Sequence, residues 1–319
     1  MATPPPAEAS VHVEQLTKRY GATLALDHVS FQVEPGELFG VIGPDGAGKS
    51  TLFRILVTVL LADAGNAYVD GLHVVDDYRA IRQRVGYMPG RFSLYTDLTV
   101  HENLAFFASV FGTTIADEYD LIAPIYSQIE PFNDRRAGAL SGGMKQKLAL
   151  SCALVHRPRV LILDEPTTGV DAVSRAEFWD MLSSLRDSGI TTLVSTPYMD
   201  EAARCDRVAL LQQGRLLGDP GTPHSVAASY GAPLVRVRAA GKRADVLRTL
   251  RHMPSVARAE VFGQWLHVTG PPAMQAADLA RHVHATLVDE GWRDVIAEPA
   301  VPTVEDVFMT LMDVEVPHA

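Results

Sequence analysis

Short apolar runs, separated by amphipathic segments, predict alternating strands and helices over residues 11–217. Residues 38–42 and 160–163 form continuous apolar runs, which are typical of buried strands in a parallel sheet. Residues 11–16 and 29–33 alternate between apolar and polar side chains, which predicts strands with one exposed face. Further elements are expected as strands at 191–195 and 207–211 and as helices at 102–111 and 145–155. This mixture indicates an α/β domain.

The pattern changes after Gly231. The predicted elements are, in order, a strand at 234–238, a helix at 244–250, a hairpin turning at Gly263, a helix at 274–287, an extended segment at 294–297 and a helix at 304–311. Their order predicts a small α+β domain of the ferredoxin-like βαββαβ type. We therefore expect a disordered tail over residues 1–10, an α/β domain over 11–225 and an accessory α+β domain over 232–319.

Composition and charge narrow the class of protein. The chain has 319 residues, of which 47% are hydrophobic and 21% charged, as in an ordinary globular protein. The excess of 38 Asp and Glu over 28 Lys and Arg gives a net charge of −10, and no basic block stands out, so nucleic acid is not an expected partner. Cys152 and Cys205 are too few for a disulfide scaffold and favour a reducing compartment. No apolar run approaches the roughly 18 residues of a membrane span, so we expect a cytoplasmic chain that meets membranes through partners.

A glycine-rich segment after the predicted strand 38–42 fits the pattern G-x-x-x-x-G-K-[ST]. This phosphate loop consists of Gly43, Pro44, Asp45, Gly46, Ala47, Gly48, Lys49, Ser50 and Thr51, and a helix is expected from 49 to 60. Its glycines allow successive N–H groups to face a phosphate, and the helix N-terminus adds positive charge. Lys49 is expected to reach the β- and γ-phosphates of ATP, and the Ser50 hydroxyl to bind Mg²⁺.

Two acids end the second buried strand. Asp164 and Glu165 follow the apolar residues 160–163, at the edge of the sheet where ligands bind in open α/β folds. Asp164 is predicted to contact Mg²⁺ directly or through water. Glu165 is predicted to orient or deprotonate the attacking water, as the catalytic residue.

A second serine-glycine turn identifies the family. Ser141, Gly142, Gly143 and Gln146 lie in the segment Leu-Ser-Gly-Gly-Met-Lys-Gln, which resembles the signature of ABC transporter ATP-binding subunits. The resemblance covers about residues 11–221 and implies a P-loop NTPase fold, with a mixed sheet plus a helical subdomain. It also implies a head-to-tail pair with a second nucleotide-binding subunit, in which each ATP lies between one phosphate loop and the other signature. Tyr20 matches the aromatic residue that stacks on adenine, and Asp171 matches the loop that crosses the dimer seam.

Residues 95–104, read as a helical stretch, and residues 302–308 resemble the drug- and polysaccharide-export branch of that family. The branch implies transport through an integral-membrane permease subunit, which would hold this chain on the inner face of the cell membrane. The segment 87–94 would contact a cytoplasmic helix of the permease. Phe92 and Tyr95 are either contacts to that helix or packed core residues.

Three positions depart from the family pattern. Gly90 and Pro197 stand where glutamine and histidine usually contact the γ-phosphate, and Asp45 replaces a common asparagine. The departures resemble the degenerate first nucleotide domain of tandem ABC ATPases, in which a weak half pairs with a competent one. We therefore expect Mg-ATP binding with slow turnover at this chain's own site. A mainly regulatory nucleotide-binding partner is the alternative, and a ribosome-acting ABC protein is disfavoured because such chains carry two phosphate loops and basic linkers.

Overall fold

The computed structural model describes residues 9–314. The strands are β1 (Val11–Tyr20), β2 (Thr23–Val33), β3 (Leu38–Ile42), β4 (Ala64–Val69), β5 (Leu72–His73), β6 (Val85–Met88), β7 (Val160–Asp164), β8 (Thr191–Thr196), β9 (Arg207–Gln212), β10 (Arg215–Leu216), β11 (Leu234–Arg238), β12 (Arg258–Phe262), β13 (Trp265–Thr269) and β14 (Ile296–Pro299). The α-helices are α1 (Lys49–Leu56), α2 (Tyr78–Arg82), α3 (Val100–Val110), α4 (Tyr119–Tyr126), α5 (Gly142–Leu154), α6 (Ala172–Asp187), α7 (Pro223–Ala228), α8 (Arg243–His252), α9 (Ala276–Asp289) and α10 (Val304–Val314). Two compact units are separated at residues 223 and 224. The domain limits 11–225 and 232–319 stay predictions.

The first unit contains two sheets and a group of helices. Strands β2, β1, β4 and β5 form an antiparallel sheet, and a second sheet has the order β10-β9-β3-β8-β7-β6. In the second sheet β9, β3, β8, β7 and β6 are parallel, and β10 pairs antiparallel with β9. Helix α5 packs against α3 and α4. The prediction of a mixed sheet with a helical subdomain is confirmed.

Apolar side chains from both sheets and from α1 form one core. Val11 and Phe31 of the antiparallel sheet, Phe39 and Ile162 of the parallel sheet, and Phe53 of α1 belong to it. Every residue of β3 and β7 is buried, as their continuous apolar sequences predict. Because β3, β8 and β7 pair in parallel, the loops that follow these strands emerge at the same edge of the sheet.

Three sequence expectations differ from the observed elements. Helix α1 ends at Leu56 rather than at residue 60, because Thr58 adopts a positive φ of 62° that a continuing helix does not allow. The stretch 95–104 is helical only from Val100, since Thr99 and Glu102 form a reciprocal capping box that starts α3. The tail predicted over 1–10 lies largely outside the described residues, but Ser10 is held by Val33, its N donating to Val33 O at 2.9 Å.

The second unit is a four-stranded antiparallel sheet with helices on one face. Its strand order is β12-β13-β11-β14, and α8 and α9 lie between strands in sequence, which gives the predicted βαββαβ arrangement. Side chains of α8 and α9 share a core with the inward residues of β11 and β13. Helix α10 follows the last strand. Among residues 9–314, no helix is both long enough and apolar enough to cross a bilayer.

Candidate nucleotide-binding site

The phosphate loop connects β3 to α1, and two of its glycines are required by close backbone contacts. A Cβ atom on Gly43 would lie 2.1 Å from the Leu211 carbonyl oxygen, and one on Gly48 would lie 2.4 Å from the Ala25 carbonyl oxygen. Gly48 also has a φ of 109°. These positions exclude larger residues and hold the loop against β9 and β2. The prediction of a strand, a glycine loop and a helix in this order is confirmed.

Lys49 is the first residue of α1, and its side chain folds into the loop. The residue is 3% exposed. Its Nζ donates to the carbonyl oxygens of Gly43 at 2.7 Å and Pro44 at 2.9 Å. The same Nζ lies 3.0 Å from Oε1 of Glu165. The lysine is therefore held at the loop by oxygen atoms that a phosphate oxygen can replace.

Asp164 and Glu165 lie where β7 ends, and Ser195 of β8 holds both. The Ser195 hydroxyl donates to Oδ1 of Asp164 at 2.7 Å and accepts from the Glu165 N–H at 2.9 Å. Asp164 is 2% exposed, and Glu165 has a positive φ of 49°. The Glu165 carboxylate reaches the Lys49 ammonium at 3.0 Å.

Two of the three departures from the family pattern, Gly90 and Pro197, follow the strands that flank β7. Gly90 follows β6, and a Cβ atom there would be 3.1 Å from the Asp164 carbonyl oxygen and 3.7 Å from its Oδ2. Pro197 follows β8, where Thr196 Oγ1 accepts from the Tyr198 N–H at 3.0 Å. Burial and the negative charge of Asp164 raise the pKa of the Tyr87 phenol above its ordinary value.

The other predicted contacts are the remaining loop residues and Tyr20. Asp45 and Gly46 are exposed, Ala47 is buried, and Ser50 and Thr51 occupy the first turn of α1 half-buried. Tyr20 lies at the end of β1 with 47% exposure, and the Lys18 ammonium is 5.9 Å from its ring centre. The loop N–H groups, a lysine and an exposed aromatic ring suit a nucleoside triphosphate.

The signature turn, residues 141–146, begins α5. The Ser141 Oγ accepts from the Met144 N–H at 3.3 Å and so caps the helix. A Cβ atom on Gly143 would lie 2.7 Å from the Ser174 Oγ of α6, so this glycine is required by close packing. A Cβ atom on Gly142 would lie 3.7 Å from the Gly169 carbonyl oxygen.

Asp171 stands at the start of α6, next to the signature turn. Its Oδ1 accepts from the N–H groups of Val173 at 3.1 Å and Ser174 at 3.0 Å, which makes it the helix cap. Hydrogen bonds from Ser174 and Val173 hold the pKa of Asp171 below its ordinary value. The structure thus brings the signature turn and the predicted seam loop into contact within one chain.

Nod factor export ATP-binding protein I of Burkholderia pseudomallei (strain 1710b) is 36% identical to this chain over 308 residues, which cover 95% of the chain and 97% of that protein. The chain belongs to the family of ABC transporter ATP-binding proteins. The family described as ABC transporter matches residues 26–168. The probable multidrug ABC transporter ATP-binding protein YbhF of Escherichia coli (strain K12) is 41% identical over 225 residues, covering 70% of this chain. The chain spans only 39% of that relative's length.

Solved ABC structures share the fold of the first unit. An ATP-binding subunit of an ABC transporter superposes with a TM-score of 0.63 at 28% identity, covering 69% of this chain and 93% of that one. The protein cbiO1 from Clostridium perfringens superposes with a TM-score of 0.62 at 26% identity, covering 77% and 96%. A dimeric ATP-binding cassette bound to ADP and Pi superposes with a TM-score of 0.59 at 25% identity, covering 66% and 98%. The ABC fold with its P-loop is therefore established for this chain.

A groove of about 450 Å³ lies beside the loop that carries Gly90 in this ABC protein. Its lining includes Phe92, Phe107, Phe111 and the signature residue Gln146. Tyr95 is absent from that lining, is 50% exposed and packs edge-on against Phe106 at 5.1 Å between ring centres. Phe92 thus faces the groove, and Tyr95 is neither a groove residue nor a core residue.

Sequence reasoning missed the polar residues that hold the acids in place. Ser195 lies in a strand that was predicted, and its position at the strand end beside Asp164 is the signal that was available. Thr167 and Glu201 are buried and hydrogen-bonded to each other at 2.8 Å across 34 residues of sequence. No local pattern points to that pair.

Proposed function

We propose that this chain is the ATP-hydrolysing subunit of an ABC export system, which binds Mg-ATP at a head-to-tail interface with a second nucleotide-binding subunit. The observation that carries the proposal is the buried Lys49 ammonium, held within 3.0 Å of both the loop carbonyls and Glu165. A cation placed so at a glycine loop, opposite a carboxylate, suits phosphoryl transfer to water.

Binding follows from the loop. The N–H groups of residues 43–51 and the N-terminus of α1 would surround the β- and γ-phosphates, and Tyr20 would stack on the adenine. The Lys49 ammonium would exchange the Gly43 and Pro44 carbonyls for phosphate oxygens. All of these contacts exist before the reaction starts, so they set affinity more than rate.

The residues present suit magnesium. The Ser50 hydroxyl and the Asp164 carboxylate are oxygen donors of the kind that Mg²⁺ binds. Asp164 is 2% exposed, and its Oδ1 is fixed by Ser195. When bound with the nucleotide, the ion would neutralise phosphate charge.

In the hydrolytic step the oxygen of a water attacks the γ-phosphorus, and the bond to the β–γ bridging oxygen breaks. Glu165 orients that water and accepts its proton, while the Lys49 ammonium faces the charge that develops on the phosphoryl oxygens. ADP and phosphate leave. Ser195 keeps the Glu165 N–H in place, and with it the direction of the carboxylate.

Turnover at this site is expected to be slow. Gly90 has no side chain where a glutamine would reach toward Asp164, and Pro197 has neither an imidazole nor an N–H donor. Two contacts to the γ-phosphate are therefore missing, while the binding residues and Glu165 are present. Losses of this kind reduce the rate of chemistry more than ground-state affinity.

Two surfaces, the signature turn and the groove beside Phe92, would each bind a partner subunit. The signature residues Ser141, Gly142, Gly143 and Gln146 would complete the site of the second nucleotide-binding subunit, and Asp171 would lie at the seam. The groove beside Phe92 would receive a helix of an integral-membrane permease, which holds the chain at the inner face of the membrane. Export as the direction of transport is supported by the export and multidrug names of the relatives.

The proposal is tested by measuring Mg-ATP binding to the full chain by calorimetry. We expect Lys49→Ala to lower affinity at least about tenfold, because it removes a charged hydrogen bond to phosphate. Lys242→Ala, which removes an exposed lysine from the second unit, is the control and should bind like the unsubstituted chain. If the unsubstituted chain binds no Mg-ATP, or if Lys49→Ala binds equally well, the proposal is wrong.

A second candidate function is favoured by Gly90 and Pro197. In it the chain acts mainly as a regulatory partner, whose bound ATP holds the dimer together while hydrolysis occurs on a competent second subunit, as in the degenerate half of a tandem ATPase. Single turnover by the mixed dimer, with Glu165→Gln on this chain only, separates the two. An unchanged rate supports the regulatory function, and a reduced rate supports hydrolysis at this site.

A further inference from the structure

A carboxylate that hydrolysis does not use directly is buried next to the turn that follows Glu165. Glu201 is 3% exposed and lies in the short 3₁₀ segment Met199–Arg204 that follows β8. Its Oε1 accepts from the Thr167 hydroxyl at 2.8 Å, and its Oε2 accepts from the Thr196 hydroxyl. Both carboxylate oxygens are thus satisfied by threonines from two different segments, as a buried charge requires.

One of the two threonines follows β7 and the other ends β8, and these strands are parallel neighbours in the sheet. Thr167 lies two residues after Glu165, in a turn closed by the Thr168 N–H and the Glu165 carbonyl at 3.2 Å. Thr196 ends β8 directly after Ser195, and its carbonyl accepts from the Gly43 N–H at 3.2 Å. Glu201 therefore connects the turn that carries the hydrolytic carboxylate to the segment that supports the phosphate loop.

An arginine of α6 also contacts Glu201. The Arg175 Nε of α6 lies 3.8 Å from Glu201 Oε1, and its guanidinium lies over the Tyr198 ring at 4.9 Å. A second contact of Arg175 goes to the exposed Asp200 at 3.5 Å. The arginine thus faces two acids in the same short segment, and only Glu201 reaches the threonines.

From this geometry we infer that Glu201 is a positioning residue, which holds the turn after Glu165 against the segment after β8 and so sets the rate of ATP hydrolysis at this site. The inference rests on the proposed function. With Gly90 and Pro197 leaving the γ-phosphate without two contacts, the placement of Glu165 depends on the backbone that supports it. Loss of the bridge releases Thr167 and, through the turn, the carboxylate that orients water.

The test is single-turnover hydrolysis by the full chain in excess over ATP, together with affinity for a fluorescent ATP analogue. Glu201→Ala is expected to lower the rate constant roughly tenfold or more, because small misplacements of a catalytic group are costly, while affinity stays within about twofold. Glu201→Gln keeps an acceptor and a donor for the two hydroxyls and should recover most of the rate. Thr167→Val removes only one hydroxyl and should also lower the rate. This variant tests the inference even if Glu201→Ala does not fold.

Asp200→Ala is the matched control, because it removes a neighbouring acid that contacts the same arginine but no threonine. Its rate should equal that of the unsubstituted chain. The inference would be overturned if Glu201→Ala and Thr167→Val both hydrolysed ATP at the rate of the unsubstituted chain, if rate and affinity fell in parallel, or if Glu201→Gln recovered none of the rate. Each of these outcomes would leave the proposed function standing. Absence of any Glu165-dependent turnover in the unsubstituted chain would instead contradict hydrolysis at this site, and the inference with it.

Discussion

Replacing Glu165 by glutamine is expected to raise the affinity for Mg-ATP while it stops turnover. Glu165 Oε1 lies 3.0 Å from the Lys49 ammonium, which is buried. When triphosphate binds, the Lys49 ammonium has to give up its contact with Glu165 for a phosphate oxygen. The phosphates also bring further negative charge toward the Glu165 carboxylate. A glutamine keeps the shape of the side chain and removes its charge, so both obstacles to binding become smaller.

The expected magnitude follows from the contacts of Lys49. The gross Coulomb energy of the pair at 3.0 Å is roughly 5.5 kcal/mol for an effective dielectric constant of about 20, but desolvation of both ions offsets much of it. A hydrogen bond to a charged group contributes about 1.5–3 kcal/mol net, and each ~1.4 kcal/mol changes an equilibrium constant tenfold. In the variant, Lys49 keeps its hydrogen bonds to the Gly43 and Pro44 carbonyls. We therefore expect an effect at the lower end of this energy range, which corresponds to a Kd for Mg-ATP reduced about tenfold.

The assay is calorimetric titration with Mg-ATP at one salt concentration, with single turnover measured on the same preparations. Glu298→Gln is the control, because it breaks an exposed ion pair with Arg236 in the second unit and should change neither quantity. The reasoning is refuted if Glu165→Gln binds Mg-ATP no more tightly than the unsubstituted chain. If that variant turned over ATP as fast as the unsubstituted chain, Glu165 would not be the catalytic residue.

Three further outcomes are expected. Pro197→His should raise single-turnover rates about tenfold, because it restores a donor to the γ-phosphate, and the gain should vanish when Glu165 is also replaced. Asp306→Asn should lower the free energy of unfolding of the second unit by about 1–3 kcal/mol at pH 7, since His267 Nδ1 lies 2.6 Å from Asp306 Oδ1 in a buried pair. Burial acts to raise the pKa of Asp306, but hydrogen bonds from His267 and Thr303 outweigh it and lower that pKa, so the contribution is present at neutral pH and is lost as the pH falls below the ordinary value of about 4, as thermal unfolding across that range would detect. Phe53→Ala should cost about 3–5 kcal/mol in chemical denaturation of the first unit, because Phe53 is fully buried in its core.

Most elements of the fold could be predicted from short stretches of the sequence. The all-apolar runs at β3 and β7 predicted buried parallel strands, because only a strand covered on both faces has no polar position. The order of elements after Gly231 predicted the βαββαβ unit. Helix ends were less certain, since the end of α1 depends on the backbone of Thr58, and the start of α3 depends on how Thr99 and Glu102 meet.

The phosphate loop was also readable from sequence, because its chemistry is carried by adjacent residues. The spacing of Gly43, Gly48 and Lys49 along the chain is enough to predict a loop that leads into a helix N-terminus. The same holds for the capped signature turn at Ser141. The contacts with Leu211 and Ala25, which exclude larger residues at Gly43 and Gly48, come from the tertiary structure.

Contacts between distant segments were decided by the tertiary structure alone. Ser195 reaches Asp164 and Glu165 across about 30 residues of sequence, and Glu201 joins Thr167 to Thr196 only because β7 and β8 are neighbours in the sheet. Side chains that meet through strand pairing leave no periodic or spaced pattern in the chain. The sequence by itself therefore determined which chemistry this protein carries, and the packing of the sheet determined which buried groups hold that chemistry in place.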